Sequence, residues 1–376
     1  MNPSDAEIVA AVAAVRAAEP GLGIAKVLAQ IKADHAGWSL SLNRLKAVAK
    51  AATGAAVPQD VAATLYVEQT RSAPVPSLQL PPSVRVVDTA ARGGKGLEAA
   101  AAAAAGAELW AEPALVLVPP LALLTLIPSG QACSHCAKPL QISTPLVASC
   151  TYCAARWCSS RCRTRNAAFH KKTRHSGAGE EWTMIERFAV DNQWQGVYGY
   201  AYVLAASRFD DPGNQRYRGP GACASVAEGV AGLARVGQDV RQRADPQAAS
   251  NIFAEEQAEM LWQEGHGVVA KFFAKLGAPP TYEEFLEGLG MININNLDGS
   301  IYLLQSHLNH SCEPNVDVKF VTRTAGVRVV ALQALRPGDE LTTTYVDLRQ
   351  DVAARRRQLH QGWGFWCTCA RCVREA

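Results

Sequence analysis

Apolar positions recur at helical spacing near the start of the chain and at period two near its end. Ser4-Asp5-Ala6-Glu7 has the form of a capping box ahead of an Ala/Val-rich stretch. Ile24, Val27, Leu28 and Ile31 make one stripe, and Leu42, Leu45 and Val48 make another behind Trp38-Ser39. This spacing predicts three short helices over residues 1–52, broken at Pro20-Gly21. Such a trio is either a packing or docking module or a helix-turn-helix DNA reader, and the first is the commoner use. Residues 53–82 are rich in Pro, Ala and Ser and read as a linker. Residues 83–128 read as strands with turns, the run Ala99–Ala105 included because glycines flank it. Residues 176–290 carry mostly helical patterns, interrupted at Asp211-Pro212-Gly213 and Gly219-Pro220-Gly221. From 291 the pattern turns to strands: Val316, Val318 and Phe320 alternate, then Val327 and Val329, with Ala325-Gly326 as the turn between them.

Composition narrows this picture. A chain of 376 residues, 48% hydrophobic and 19% charged, suits two or three globular domains. A formal charge of +3 gives no demand for a nucleic-acid partner. The start, MNPSDAEIVAAV, lacks a basic segment followed by an apolar core, so no secretory signal is expected. The apolar stretch at 114–127 contains Pro119-Pro120 and falls short of the roughly 20 residues a membrane helix needs. These features predict an intracellular protein with no membrane partner.

Cysteine changes the picture most. There are 11, and in a reducing compartment clustered cysteines point to metal rather than disulfides. Cys133-x-x-Cys136, Cys150-x-x-Cys153 and Cys158-x-x-x-Cys162 are followed by His170 and His175, which makes the eight ligands of two tetrahedral zinc sites. Interleaving predicts Cys133, Cys136, Cys158 and Cys162 on one ion, with Cys150, Cys153, His170 and His175 on the other. His135, inside a C-x-x-C, is the alternative eighth ligand. Cys367, Cys369 and Cys372 form a second group one ligand short of a closed site. Cys312 is the natural fourth, and nothing beside it supplies the base and oxyanion hole a nucleophile would need.

Four blocks, in order, carry a family resemblance. Gly94-Lys95-Gly96-Leu97-Glu98-Ala99 resembles the opening G-x-G-L-x-A of SET domains, and Asn309-His310-Ser311-Cys312-Glu313-Pro314-Asn315 resembles their NHSCxPN block. Gly338–Tyr345 resembles G-x-E-L-x-x-x-Y, and Phe365-Trp366-Cys367-Thr368-Cys369 with Cys372 resembles the post-SET finger. The cysteine-rich segment lies between the first and second blocks, as a MYND finger does in SET–MYND lysine methyltransferases, although that family's finger usually ends H-x-x-x-C. The stretch NINNLDGSIYLLQSHLNHSCEPN looks most like the fungal branch that methylates histone four.

The resemblance implies an α+β fold: a SET β-clip of small sheets with a threaded C-terminal tail, interrupted by a finger and a helical insert. The implied parts are an N-terminal helical module (1–52), a linker (53–82), the first part of the SET domain (83–128), a MYND-like finger (129–175), a helical insert (176–290), the second part of the SET domain (291–347) and a post-SET zinc segment (348–376). It implies a histone-lysine methyltransferase that uses S-adenosylmethionine and three zinc ions. Lys95, Gly96 and Leu97 would line the methionine part of the cofactor, and Asn309 and His310 would hydrogen-bond it. Phe365 would stack on its adenine, with Trp363 and Trp366 as alternative rings. Tyr345 would sit where methyl, sulfur and amine meet. Asn293 and Asn295 would either touch the cofactor or hold a bend. The glutamates between Glu255 and Glu287 would be a solvated face or a rim for a basic tail. Implied partners are a histone tail or nucleosome and proteins docking on the finger, without direct DNA binding. The implied location is the nucleus, with the cytoplasm also allowed. The alternatives are a non-histone substrate, or an adaptor with a cofactor pocket and no turnover.

Overall fold

The computed structural model describes residues 2–18, 24–55, 65–89, 94–141, 147–209, 219–244 and 252–376. The predicted breaks at Pro20-Gly21 and Asp211-Pro212-Gly213 lie outside them. Helices α1 (Asp5–Ala18), α2 (Ile24–Asp34) and α3 (Leu42–Ala55) follow the predicted stripes. They close on a core of their own from Ile8, Val27, Ile31 and Leu45. The capping box is formed: the Glu7 carboxylate accepts from the Ser4 N–H at 2.7 Å, and the Glu7 N–H donates to Ser4 Oγ at 3.3 Å.

Three small sheets and a two-stranded ribbon follow. The first has the order β1-β2-β12-β9, from β1 (Val84–Thr89), β2 (Gly94–Ala99), β12 (Glu340–Thr343) and β9 (Asn309–His310). The second runs β10-β11-β3, from β10 (Val316–Thr322), β11 (Gly326–Ala331) and β3 (Glu108–Glu112). The third joins β4 (Val116–Leu117), β8 (Ser300–Ile301) and β7 (Asn296–Leu297); β5 (Ala148–Ser149) and β6 (Arg156–Trp157) make the ribbon. The predicted hairpin is present, with Val318 opposite Val329. Leu97, Leu304, Val316, Val329 and Leu341 fill the core between the first two sheets.

The helices between are α4 (Ser160–Arg174), α5 (Gly179–Asp191), α6 (Gln195–Phe209), α7 (Val226–Ala231), α8 (Gln238–Arg243), α9 (Ile252–Lys275) and α10 (Tyr282–Asn295). Their core holds Trp182, Tyr198, Phe272, Phe273 and Phe285, all nearly sealed from solvent. Each such side chain contributes about 1.5–3 kcal/mol by leaving water. Two helices end the chain, α11 (Val352–Trp363) and α12 (Ala370–Glu375), and α12 packs against α3. Together these elements make an α+β architecture.

Two expectations shift. The strand pattern predicted from 291 begins only at Asn296, because α10 runs to Asn295. Ile-Asn-Ile-Asn alternates like a strand, but the Asn295 amide donates to the carbonyls of Met291 and Ala234 at 2.8 and 2.7 Å, and packing on the α7–α8 segment holds the helix. Residues 65–82, read as linker, are instead seated on the domain. The N–H groups of Tyr66 and Val67 both donate to the Gly364 carbonyl at 3.1 Å, and Arg71 exchanges two backbone hydrogen bonds with Arg235. Gly364 is left-handed (φ 74°), and a Cβ there would lie 2.4 Å from the Tyr66 ring. Glycine both ends α11 and leaves room for that ring.

Candidate active site

A cavity of about 520 Å³ opens where these elements meet, within the range of small-molecule sites. Its walls come from β2 (Lys95), the turn before β9 (Ser306, His307), β9 itself, the segment after β12 (Tyr345) and residues 363–369. The supposed linker supplies Val67, Thr70 and Ser72, and the loop after α7 supplies Gly232 and Ala234. No sequence pattern pointed to these last two segments.

The centre of the site is the parallel pairing of β9 with β12, Asn309 opposite Thr342 and His310 opposite Thr343. Asn315 clamps it. Its Oδ1 accepts from the Thr342 N–H at 2.8 Å, and its Nδ2 donates to the Glu340 carbonyl at 2.8 Å. Asn309 Nδ2 donates to the Glu340 carboxylate at 3.1 Å. The Tyr345 backbone N–H donates to His310 Nδ1 at 3.0 Å, so the ring proton of neutral His310 is on Nε2, which donates to Cys312 Sγ at 3.3 Å. Both His310 nitrogens are thereby used inside the protein. The Tyr345 hydroxyl donates to the Leu308 carbonyl, and burial pushes its phenol pKa upward, so Tyr345 is a neutral donor and not a base. Trp363 lies 4.9 Å from the Tyr345 ring and Phe365 6.0 Å from the His310 ring.

Of the other predicted cofactor residues, Lys95 lines the cavity, its amine donating to the carbonyls of Ala73 and Gly232. Gly96 and Leu97 do not line it; Leu97 faces Leu341 in the core. Asn295 reaches the wall, while Asn293 donates to Gln238. Glu284 caps α10 and Glu259 accepts from the Tyr282 hydroxyl, so part of the acidic stretch has structural work. Behind the turn stands Glu112, 1% exposed, its carboxylate accepting from the N–H groups of Leu304 and Gln305 at 3.0 and 2.6 Å. Burial raises its carboxyl to about 7 against the pull of those donors.

Among the described residues, three groups of four side chains bring their ligand atoms within 4.8 Å of one another: Cys133, Cys136, Cys158 and Cys162; Cys150, Cys153, His170 and His175; Cys312, Cys367, Cys369 and Cys372. These are the predicted groupings, and His135 is in none of them. The sulfurs of Cys136 and Cys158 lie 3.7 Å apart, those of Cys158 and Cys162 3.5 Å, and those of Cys312 and Cys372 3.4 Å. That is near the ~3.8 Å edge of a tetrahedron with zinc–sulfur bonds of about 2.3 Å, so the donors fit a zinc ion. Fully buried Arg355 donates to Cys312 Sγ at 3.4 Å and Cys372 Sγ at 3.8 Å, which suits the net negative charge of four thiolates on a divalent ion. Cys367 and Cys369 also line the cavity, so this site forms part of its wall.

A SET-domain family model matches residues 238–346. Along nearly its whole length the chain is similar to curated proteins named histone-lysine N-methyltransferase SET5. It is 39% identical to that of Yarrowia lipolytica over 382 residues, covering 99% of this chain and 83% of the relative. The chain belongs to the SET5 family. The SET5 proteins of Scheffersomyces stipitis (33% identical; 99% of this chain, 81% of the relative) and Meyerozyma guilliermondii (35%; 100% and 80%) agree. As a SET5 member the chain is a SET-domain lysine methyltransferase that uses S-adenosylmethionine. The matched SET stretch holds β9, Asn315 and Tyr345, while Lys95, the cysteine and histidine groups between 133 and 175, and Cys367–Cys372 lie outside it.

Proposed function

We propose that this SET5 member methylates a lysine of a histone tail in the nucleus by direct in-line transfer, and that it is built as a SET–MYND enzyme. In this reading the fold is a SET β-clip interrupted by a MYND-like finger and a helical insert, and three zinc ions hold the finger and a post-SET site. When bound, S-adenosylmethionine supplies an electrophilic methyl on a sulfonium. Lys95 holds its methionine end, and Gly96 and Leu97 act as the strand residues that place that lysine; Asn309 and the backbone of His310 hold the nucleoside, and Phe365 covers the adenine. The finger offers a docking surface for protein partners.

The protein's part is mainly alignment. Tyr345, fixed through its amide by His310 and through its hydroxyl by Leu308, presents a rigid neutral edge to the reacting atoms. The substrate lysine must give up a proton to solvent from an amine of pKa about 10.4 before it attacks, and an apolar setting beside the Tyr345 and Trp363 rings disfavours its charged form. The observation that carries this reading is the doubly tied Tyr345 on the cavity wall between β9 and the cysteine-bound tail.

The test is methyl transfer from labelled S-adenosylmethionine to separated core histones, histone four first, and to a total lysate, with Tyr345→Phe alongside. Label on one histone, reduced about 100-fold or more in Tyr345→Phe, is expected. Label on lysate proteins alone discards the histone substrate. No label from zinc-loaded protein that binds S-adenosylhomocysteine turns the reading to an adaptor.

A further inference from the structure

One ring nitrogen on the cavity wall has no hydrogen-bond partner among the described residues. His307 is 5% exposed and lines the cavity from the turn before β9. Its Nδ1 lies 2.8 Å from the Leu303 carbonyl, and a carbonyl only accepts, so Nδ1 carries the proton. In the neutral ring Nε2 then holds a bare lone pair, with no hydrogen-bond donor among the described residues. Burial, with the nearby Lys95 charge, pushes the ring's pKa down to about 4, so it is neutral at physiological pH. The ring is also held still: Glu112 binds the N–H groups of Leu304 and Gln305 from behind, and Leu303 fixes the near nitrogen. An acceptor that a ligand covers when it fills the cavity costs free energy unless that ligand supplies the donor.

We infer that His307 recognises the cofactor, its Nε2 accepting a hydrogen bond from the α-ammonium at the cofactor's amino-acid end. This rests on the S-adenosylmethionine reading above. The amino-acid end is chosen because of Lys95. Two of its three N–H groups go to Ala73 and Gly232, which leaves one for a ligand. A neutral acceptor close to a cationic donor is the complement of a zwitterion, ammonium to His307 and carboxylate to Lys95. An adenine or a ribose has no use for the cation.

Two probes separate the ends of the ligand: S-adenosylhomocysteine, which carries the amino acid, and 5′-methylthioadenosine, which lacks it. Binding of each is measured calorimetrically to the zinc-loaded full chain as parent, His307→Leu and His307→Gln. In His307→Leu, affinity for S-adenosylhomocysteine should fall about 10- to 100-fold while methylthioadenosine binding is unchanged. His307→Gln, which keeps an acceptor, should recover most of the loss. Equal losses for both probes would overturn the amino-acid assignment. Unchanged S-adenosylhomocysteine binding in His307→Leu would overturn the role of His307 and leave the cofactor reading standing. A parent that binds neither probe refutes the cofactor reading itself. Should His307→Leu fail to fold, His307→Asn replaces it, since its amide can keep the bond to the Leu303 carbonyl but does not reach the Nε2 position: a selective loss of S-adenosylhomocysteine supports the inference, and unchanged binding of both probes refutes it.

Discussion

The cysteine site beside the cavity and the outer site of the finger each gather four ligands, yet they are embedded in opposite ways. At the cavity, Cys312, Cys367 and Cys372 are buried, and Arg355 donates to two of the sulfurs from a fully buried position. Cys312 Sγ accepts a hydrogen bond from Nε2 of the His310 ring that positions Tyr345, and Cys367 and Cys369 are themselves wall residues. In the outer finger site Cys153 and His175 are exposed, and none of its four ligands borders the cavity. The number of donor atoms is therefore a poor guide to what a metal bound at either group would do. Its weight in the chemistry depends on which backbone its ligands continue into.

Breaking the cavity site should have the largest effect. Cys372→Ser removes a thiolate that bridges the tail to Cys312, and with it the hold on Trp366–Cys369 and on His310. We expect methyl transfer to fall by at least ~100-fold, as an ångström of misplacement can cost, with S-adenosylhomocysteine binding lost in parallel. Calorimetry beside the methyl-transfer assay checks both. Near-parental turnover in this variant would remove the distinction between the two sites.

Arg355→Met should do less. The ligands stay, but the thiolate cluster loses its buried cation. Loss of such an outer partner should weaken metal affinity by about 10- to 100-fold, visible in chelator competition, while saturating zinc restores turnover. Arg355→Lys should recover only part of the affinity, since an ammonium lacks the planar fork that reaches both sulfurs. Unchanged affinity in Arg355→Met would confine the arginine to its ion pair with Glu375 and its bond to the Gln350 carbonyl.

What could be read from the sequence follows the same division. The cysteine groupings were legible because ligand spacing is local, and C-x-x-C turns two sulfurs one way whatever surrounds it. The alternation of Val316, Val318, Val327 and Val329 was legible because one face of the hairpin is buried. Arg355 was not, since an arginine in a basic helical stretch reads as surface until packing brings two thiolates against it. Nor was the wall formed by Val67, Thr70 and Ser72, whose segment, a single 3₁₀ turn at Val67–Gln69 running into extended backbone, bonds to Gly364 and Arg235 without periodicity in its own sequence. Glu112 and His307 carry no spacing signal either. Each is defined by what lies across the chain, the carboxylate by two N–H groups nearly two hundred residues away and the imidazole by the cavity it borders.

The smallest effect is expected at the outer finger site, and it is the sharpest check on the comparison. His175 follows α4, its Nε2 3.5 Å from Cys150 Sγ and 3.1 Å from His170 Nε2. His175→Ala leaves three ligands at an exposed site and should cost the protein one zinc ion per chain. The neighbouring Cys133, Cys136, Cys158 and Cys162 group is more deeply buried, and its knuckle is pinned to the hairpin loop by Arg323, which donates to the Cys136 and Val118 carbonyls at 3.1 and 2.7 Å. That group should keep the finger attached. Methyl transfer should then stay within about threefold of the parent, a barrier change below ~0.7 kcal/mol. Metal content by mass spectrometry beside the methyl-transfer rate gives the answer. One ion lost with turnover kept would confine the outer site to docking partners. One ion lost with turnover collapsed would mean that α4 transmits the state of the finger to the cavity.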